Sequence, residues 1–171
     1  AEVTGRSRRI VRKGDCLVVE NRAGSANLAE ALAFMDDDKR ILVVANETLA
    51  GEALFQAVNG AASGYRAQVL VVAPALNSKI RHWASDEDGA REAAQSRVDE
   101  SVARLSAQGL DVRGEVGDSD PVQAIEDALH TFGPDEVIMS THPPGRSNWL
   151  EQGIVERARD LIAPERQADR G

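Results

Sequence analysis

The chain has 171 residues, of which 42% are hydrophobic and 28% charged, as expected for one globular domain with a substantial core. No apolar run approaches the roughly 20 residues of a membrane-spanning helix, and the basic first segment lacks the apolar region of a secretory signal. These features predict a cytoplasmic protein without membrane insertion. Cys16 is the only cysteine, which excludes an intramolecular disulfide and a cysteine-based metal site within the chain. The apolar residues that follow Cys16 favour a buried structural thiol.

The charge is unevenly distributed along the chain. The net charge is −8, yet residues 1–13 contain five Lys or Arg residues and one Glu. The rest of the chain therefore carries a net charge of −12. A body this acidic repels phosphate backbones, so nucleic acid is disfavoured as a partner. The basic segment has two interpretations: a contact for an anionic partner, or a solvated and partly disordered terminus, which is the commoner case.

The first predicted strands of the main domain are two continuous apolar runs. Residues 41–45 and 69–73 have the pattern of strands that are buried on both faces of a sheet. Between them, residues 49–58 place apolar side chains at helical spacing, and Asn59-Gly60 is expected to end that helix.

The next elements alternate in the same way. A helix is expected to begin near Ser85 and to end at Gly109, and residues 111–116 alternate as a short strand. Asp120 followed by Pro121 predicts a capped helix, since Asp is a preferred N-cap residue and Pro is tolerated at the first helical position. Gly133-Pro134 is expected to end that helix.

Residues 136–139 form the fourth predicted strand of the main domain. Asn148, with Glu151 three residues later, is expected to cap the last helix. Strands that alternate with helices pair in parallel through right-handed crossovers. The predicted fold class is therefore α/β, a three-layer sandwich with a doubly wound, mostly parallel sheet.

Three stretches of the chain together resemble the universal stress protein superfamily. They are RILVVANET at residues 40–48, AQVLVVAPALN at residues 67–77 and GDSDPVQAIEDALHTFGPDEVIMST at residues 117–141. The resemblance implies an adenine nucleotide alpha hydrolase-like sheet in a homodimeric stress-response module. Such a module is non-enzymatic and binds a small ligand or a partner protein. The alternatives are a nucleotide-binding regulator or weak nucleotide hydrolase, and a purely structural domain.

The resemblance also implies ATP or another adenine nucleotide as the candidate cofactor. The family's phosphate motif, Gly-x2-Gly-x9-Gly-[Ser/Thr], falls on Ser140, Pro143, Gly153 and Ile154, and only Gly153 matches it. Pro143 has no N–H to donate, and Ile154 has no hydroxyl group. Asn46 stands where ATP-binding members tend to have Asp. These departures argue against ATP. The alternatives for this loop are a site for another small anionic ligand and a loop that only caps the last helix.

The candidate ligand-binding residues lie at the carboxyl ends of the first, second and fourth of these strands, where open α/β sheets bind ligands. They are Ala45, Asn46, Glu47, Thr48, Ala73, Met139, Ser140, Thr141, His142, Gly145, Arg146, Ser147, Asn148 and Gly153. Arg146 is a bidentate donor for an anion, whereas Ser147 and Asn148 alternatively serve only as helix caps. Asn46 either bonds a ligand or forms an Asx turn. No catalytic residue and no metal site is predicted.

The domain prediction has three parts. Residues 1–39 form an N-terminal extension, with a strand at about 16–20 and a helix at about 28–35 that pack on the core. Residues 40–163 form the α/β domain, and residues 164–171 a polar tail. The family's usual fifth strand is missing after the last helix, so we expect the strand at 16–20 to fill its place, in its own subunit or swapped between subunits. An unfilled place would leave an exposed sheet edge.

Overall fold

The computed structural model describes residues 7–13, 16–22, 38–45, 52–75, 87–140 and 153–162. The elements in chain order are β1 (Ser7–Lys13), β2 (Cys16–Arg22), β3 (Asp38–Val44), α1 (Glu52–Ala62), β4 (Arg66–Pro74), α2 (Glu87–Ser106), β5 (Asp111–Gly117), α3 (Pro121–Phe132), β6 (Glu136–Ser140) and α4 (Ile154–Ile162). None of the helices in these ranges combines the length and the apolar character that a bilayer span requires.

The described strands form one sheet in the order β1-β2-β6-β3-β4-β5. The four strands β6, β3, β4 and β5 are parallel, and β1 and β2 add an antiparallel hairpin beside β6. Helices connect the parallel strands, as parallel pairing requires. The prediction of a doubly wound, mostly parallel sheet is confirmed.

The core has two halves, one on each face of the sheet. Ile41 and Val43 of β3 belong to the half that α1 and α2 cover, whereas Leu42 and Val44 belong to the half that α3 and α4 cover. Successive strand residues point to opposite faces, so a strand covered on both sides must be apolar throughout. This explains the continuous apolar runs and makes the fold a three-layer sandwich.

Two glycines allow helices to approach the outer parallel strand, β5. A Cβ atom at Gly114 would lie 2.1 Å from Cγ1 of Val98 on α2. A Cβ atom at Gly117 would lie 2.6 Å from Cβ of Ala124 on α3. Any larger residue at either position would force the helix away from the strand.

Helix α3 begins and ends as its sequence predicts. Asp120 has extended backbone angles and its side chain accepts a hydrogen bond of 2.8 Å from the N–H of Val122. Gly133 ends the helix with a φ of 60°, in the left-handed region that glycine adopts without steric cost. The N–H of Asp120 in turn donates to the side chain of Asp118 at 2.8 Å. The turn before the helix is thereby fixed from both sides.

Two predicted helix boundaries are wrong. Helix α1 continues through Asn59 and Gly60 to Ala62, because Ala61 and Ala62 are buried in the core and this burial outweighs the cost of about 1 kcal/mol for a helical glycine. The last described helix begins at Ile154 and not near Asn148, since Gly153 before it has a φ of 64° that no α-helix can contain. Asn148 itself lies outside the described residues.

The basic N-terminal segment is a strand and not a solvated terminus. Ser7–Lys13 forms β1, which pairs along its whole length with β2. β2 in turn pairs with β6 of the same chain, from Cys16 opposite Ser140 to Glu20 opposite Glu136. The predicted helix at 28–35 and the tail at 164–171 lie outside the described residues.

Candidate functional site

The carboxyl edge of the parallel strands has a point where the strand order reverses. From β3 the chain proceeds to β4 and β5 on one side, and then returns to place β6 on the other side of β3. Helix α1, which follows β3, packs on one face of the sheet, and α4, which follows β6, packs on the other, so a crevice is expected between them at the carboxyl ends of β3 and β6. Ligands of open α/β sheets bind at such switch points.

Two of the described candidate residues, Ala45 and Ala73, lie together at this edge. Ala45 is one residue beyond the pair of Val44 with Met139, and its N–H donates to the carbonyl of Val72 at 2.9 Å. Ala45 and Ala73 are buried on the face that α1 and α2 cover. Neither offers a polar atom beyond the backbone.

Met139 does not share this environment. It is buried in the other half of the core, on the face that α3 and α4 cover. Sequence reasoning placed it in the site because it ends a strand, but consecutive strand residues face opposite ways. Met139 therefore packs in the core beneath α3 and α4, and Ser140 follows it at the end of β6.

Nine of the predicted site residues lie outside the described residues. They are Asn46, Glu47, Thr48, Thr141, His142, Gly145, Arg146, Ser147 and Asn148. Gly153 is described and has a left-handed backbone before α4. The contributions of the nine to a site remain predictions from the sequence.

The far end of the same edge, after β5, is acidic. Asp118 accepts the N–H of Ala75 with its carbonyl at 3.3 Å and the N–H of Asp120 with its carboxylate at 2.8 Å. Asp120 is occupied as the cap of α3. These carboxylates repel an anion from the β4–β5 end, so the electrostatics of the edge favour an anion at the β3–β6 end.

The opposite, amino-terminal edge of the sheet is closed by an ion pair. Nζ of Lys39 lies 2.7 Å from a carboxylate oxygen of Glu136, and these side chains are 18% and 4% exposed. The same ammonium donates to the carbonyl of Ala61 at 2.8 Å and lies 4.6 Å from the ring centroid of Tyr65. These contacts join β3, β6 and α1, which holds together the strands that flank the crevice.

Sequence reasoning missed that the basic segment belongs to the sheet. Gly14-Asp15 between two strand-like segments was the available signal, because Gly-Asp is a typical two-residue hairpin connection. The register places Lys13 opposite Cys16, and Cys16 opposite Ser140. The basic strand therefore ends two strands away from the crevice, at about 10 Å from Ser140 by the usual strand spacing.

One family model matches the chain. It is the helicase family model Helicase_C_4, described as the C-terminal domain on Strawberry notch homologue, and it matches residues 1–78. These residues include β1 to β4 and α1. No curated protein matches the chain.

The match overturns the resemblance to the universal stress protein superfamily, which is wrong. The inferred stress-response module, its dimerisation and its role as a small-ligand or nucleotide-binding regulator or hydrolase are corrected with it. The physical reason is that the stretches behind the resemblance encode buried parallel strands and a capped crossover helix. Many unrelated α/β proteins need these features for folding alone. What the chain resembles over its N-terminal part is a helicase C-terminal domain.

Proposed function

We propose that this chain is a helicase-related α/β domain that binds nucleic acid through the phosphate backbone. The observation that carries the proposal is the match of residues 1–78 to a helicase C-terminal family. The sequence contains no Gly-Lys pair, so the Gly-Lys-[Ser/Thr] end of a P-loop does not come from this chain. The proposed role is to hold nucleic acid.

The net charge of −8 opposes binding to nucleic acid, but the distribution of charge along the chain supports it. Residues 1–78 contain nine Lys or Arg and nine Asp or Glu residues, whereas residues 79–171 contain 11 and 19. The whole acidic excess thus lies outside the matched segment. Charge asymmetry between the parts of a chain is one pattern that suggests contact with nucleic acid or a membrane, or an acidic tail.

The proposal includes the carboxyl edge as a phosphate contact. We propose Arg146, which follows β6 by six residues in the sequence, as the cation of this contact. An arginine fork suits the two oxygens of a phosphate. A cytosolic location, where nucleic acid is present and a single cysteine such as Cys16 stays reduced, is part of the same proposal.

Fluorescence anisotropy with a labelled single-stranded oligonucleotide tests the function. We expect binding that weakens steeply with salt, with a dissociation constant no weaker than about 10⁻⁴ M near physiological salt. Arg146→Ala should weaken binding, whereas Arg91→Ala should not, because Arg91 is exposed on α2, which packs mainly on β4 and β5. No binding of DNA or RNA at about 50 mM salt would refute the proposed function.

A further inference from the structure

The outermost strand of the described sheet is strongly basic. β1 pairs with β2 on one side, and no described strand pairs with its other side. Four of its seven residues are cations, namely Arg8, Arg9, Arg12 and Lys13. An edge strand also presents backbone N–H groups on its free side. Among the described strands and helices, β1 is therefore the most cationic, in a chain whose net charge is −8.

The register shows which of these cations have an acidic residue opposite. Arg9 pairs in register with Glu20, and opposite charges at such positions attract each other. Arg8 is opposite Asn21 and Arg12 is opposite Leu17. Lys13 is opposite Cys16, so three of the four cations have no carboxylate at the facing position of β2.

The length of the basic strand fits a nucleic acid backbone. At about 3.4 Å per residue, the five steps from Arg8 to Lys13 span about 17 Å. Each strand of a duplex carries a phosphate for about every 3.4 Å of helix axis, so an edge of this length is long enough to contact several phosphates. Lys13, at the carboxyl-terminal end of β1, is opposite Cys16, and Cys16 is opposite Ser140. The basic strand therefore ends at the same edge of the sheet as β6.

We infer that β1 binds the phosphate backbone of a nucleic acid strand along the edge of the sheet, without reading its base sequence. The inference rests on the proposed function and names the surface that performs it. Aromatic residues make up 4% of the chain, so there are few platforms on which bases could stack. Charge therefore carries the binding, and affinity should depend on salt and not on base composition.

The salt dependence of binding gives a quantitative test. Each phosphate neutralised on a single strand contributes about 0.7 to the slope of log K against log salt. Four contacts give a slope of about −2.8, a loss of affinity of about 50-fold between 50 and 200 mM salt. Replacing all four cations of β1 with Gln should remove this part of the slope, and Arg8→Gln with Arg12→Gln about half of it. The matched control is Arg91→Gln with Arg157→Gln, which removes two exposed cations from α2 and α4.

The measurements use labelled single-stranded DNA, duplex DNA, single-stranded RNA and anionic lipid vesicles, with oligo-dA compared against oligo-dT. A reduced slope in the β1 variants and an unchanged slope in the control support the inference. A wild-type protein that binds with its slope preserved in the β1 variants overturns the inference and leaves the proposed function standing. Absence of wild-type binding refutes the function itself. Binding to vesicles but not to nucleic acid overturns the inference in favour of a membrane surface.

Two further readings keep the test decisive. Circular dichroism and light scattering establish whether each variant folds and stays monodisperse. If the fourfold variant fails to fold, the wild-type slope still decides, since a slope shallower than about −1.4 is too small for four phosphate contacts. A fourfold variant that keeps its affinity but self-associates shows that the cations only guard a sheet edge against aggregation, and this overturns the inference.

Discussion

The ion pair between Lys39 and Glu136 offers a sharp test of what holds the crevice strands together. Replacing Glu136 with Gln keeps the shape of the side chain but removes the counter-ion of an ammonium that is 18% exposed. Breaking a buried pair by removing one partner costs about 3–5 kcal/mol. Lys39 keeps the Ala61 carbonyl and the ring of Tyr65, so we expect the lower end, about 3 kcal/mol.

The complementary variant should cost more. Lys39→Met leaves the carboxylate of Glu136, which is 4% exposed, without its cation, and we expect about 4–5 kcal/mol. Replacing both residues with Met removes both charges while keeping an apolar volume. That double variant should be more stable than either single variant, because hydrophobic replacement of a buried pair is often neutral. Such non-additivity is the signature of a direct interaction.

Urea unfolding is the assay, with the midpoint and the slope m measured for each variant. A loss of about 3 kcal/mol should lower the melting temperature by roughly 6–12 °C in a domain of this size. The control is Asp38→Asn, since Asp38 lies 3.8 Å from Arg66 and both side chains are 72% exposed. Exposed pairs contribute about 0–1 kcal/mol. If Glu136→Gln costs no more than Asp38→Asn, the Lys39–Glu136 pair is not a buried electrostatic contact and our reasoning is refuted.

Two further stability predictions follow from the packing and capping of the helices. Gly114→Ala should destabilise the protein by about 1–3 kcal/mol because its Cβ would collide with Val98. Gly60→Ala should stabilise it by about 1 kcal/mol because no atom lies within 4 Å of the new Cβ. Equal effects of the two variants in urea unfolding would contradict the packing of α2 on β5. Asp120→Ala should cost about 1 kcal/mol by removing the cap of α3, and a thermal unfolding midpoint equal to that of the wild type would show that the cap contributes nothing.

The parts of the fold that local chemistry encodes could be predicted from the sequence. The limits of α3 follow from Asp120, Pro121 and Gly133, each of which acts within one turn of the helix. The continuous apolar runs of β3 and β4 predict burial on both faces, which the two core halves confirm. These signals need no knowledge of distant residues.

The parts that depend on distant residues could not be predicted in the same way. Gly60 is a stop signal by itself, and only the burial of Ala61 and Ala62 against the sheet overrules it. The sequence did not predict β1 as a strand because it is rich in cations. Edge strands need little apolar surface and often carry charged side chains. At the candidate site, Ala45 and Ala73 share a face while Met139 does not. Their position at strand ends predicts the edge of the sheet but not the arrangement of a site.

The position of β6 has a consequence for how the chain is made. β6 lies between β2 and β3 in the sheet, yet it follows Arg22 by more than 110 residues in the sequence. At a synthesis rate of about 5–20 residues per second, roughly 6–23 s separate the emergence of β2 from that of its neighbour. During this interval the basic hairpin has no strand to attach to.

The same arrangement limits what the matched segment can do alone. Residues 1–78 contain β1, β2, β3 and β4, but the strand that joins the hairpin to the parallel pair lies outside them. A nascent chain of this length holds two sheet fragments with a gap one strand wide, and each fragment has an edge that later disappears. Until β6 is made, the edges of β2 and β3 that it later pairs with are unpaired, and such edges are prone to association with other chains.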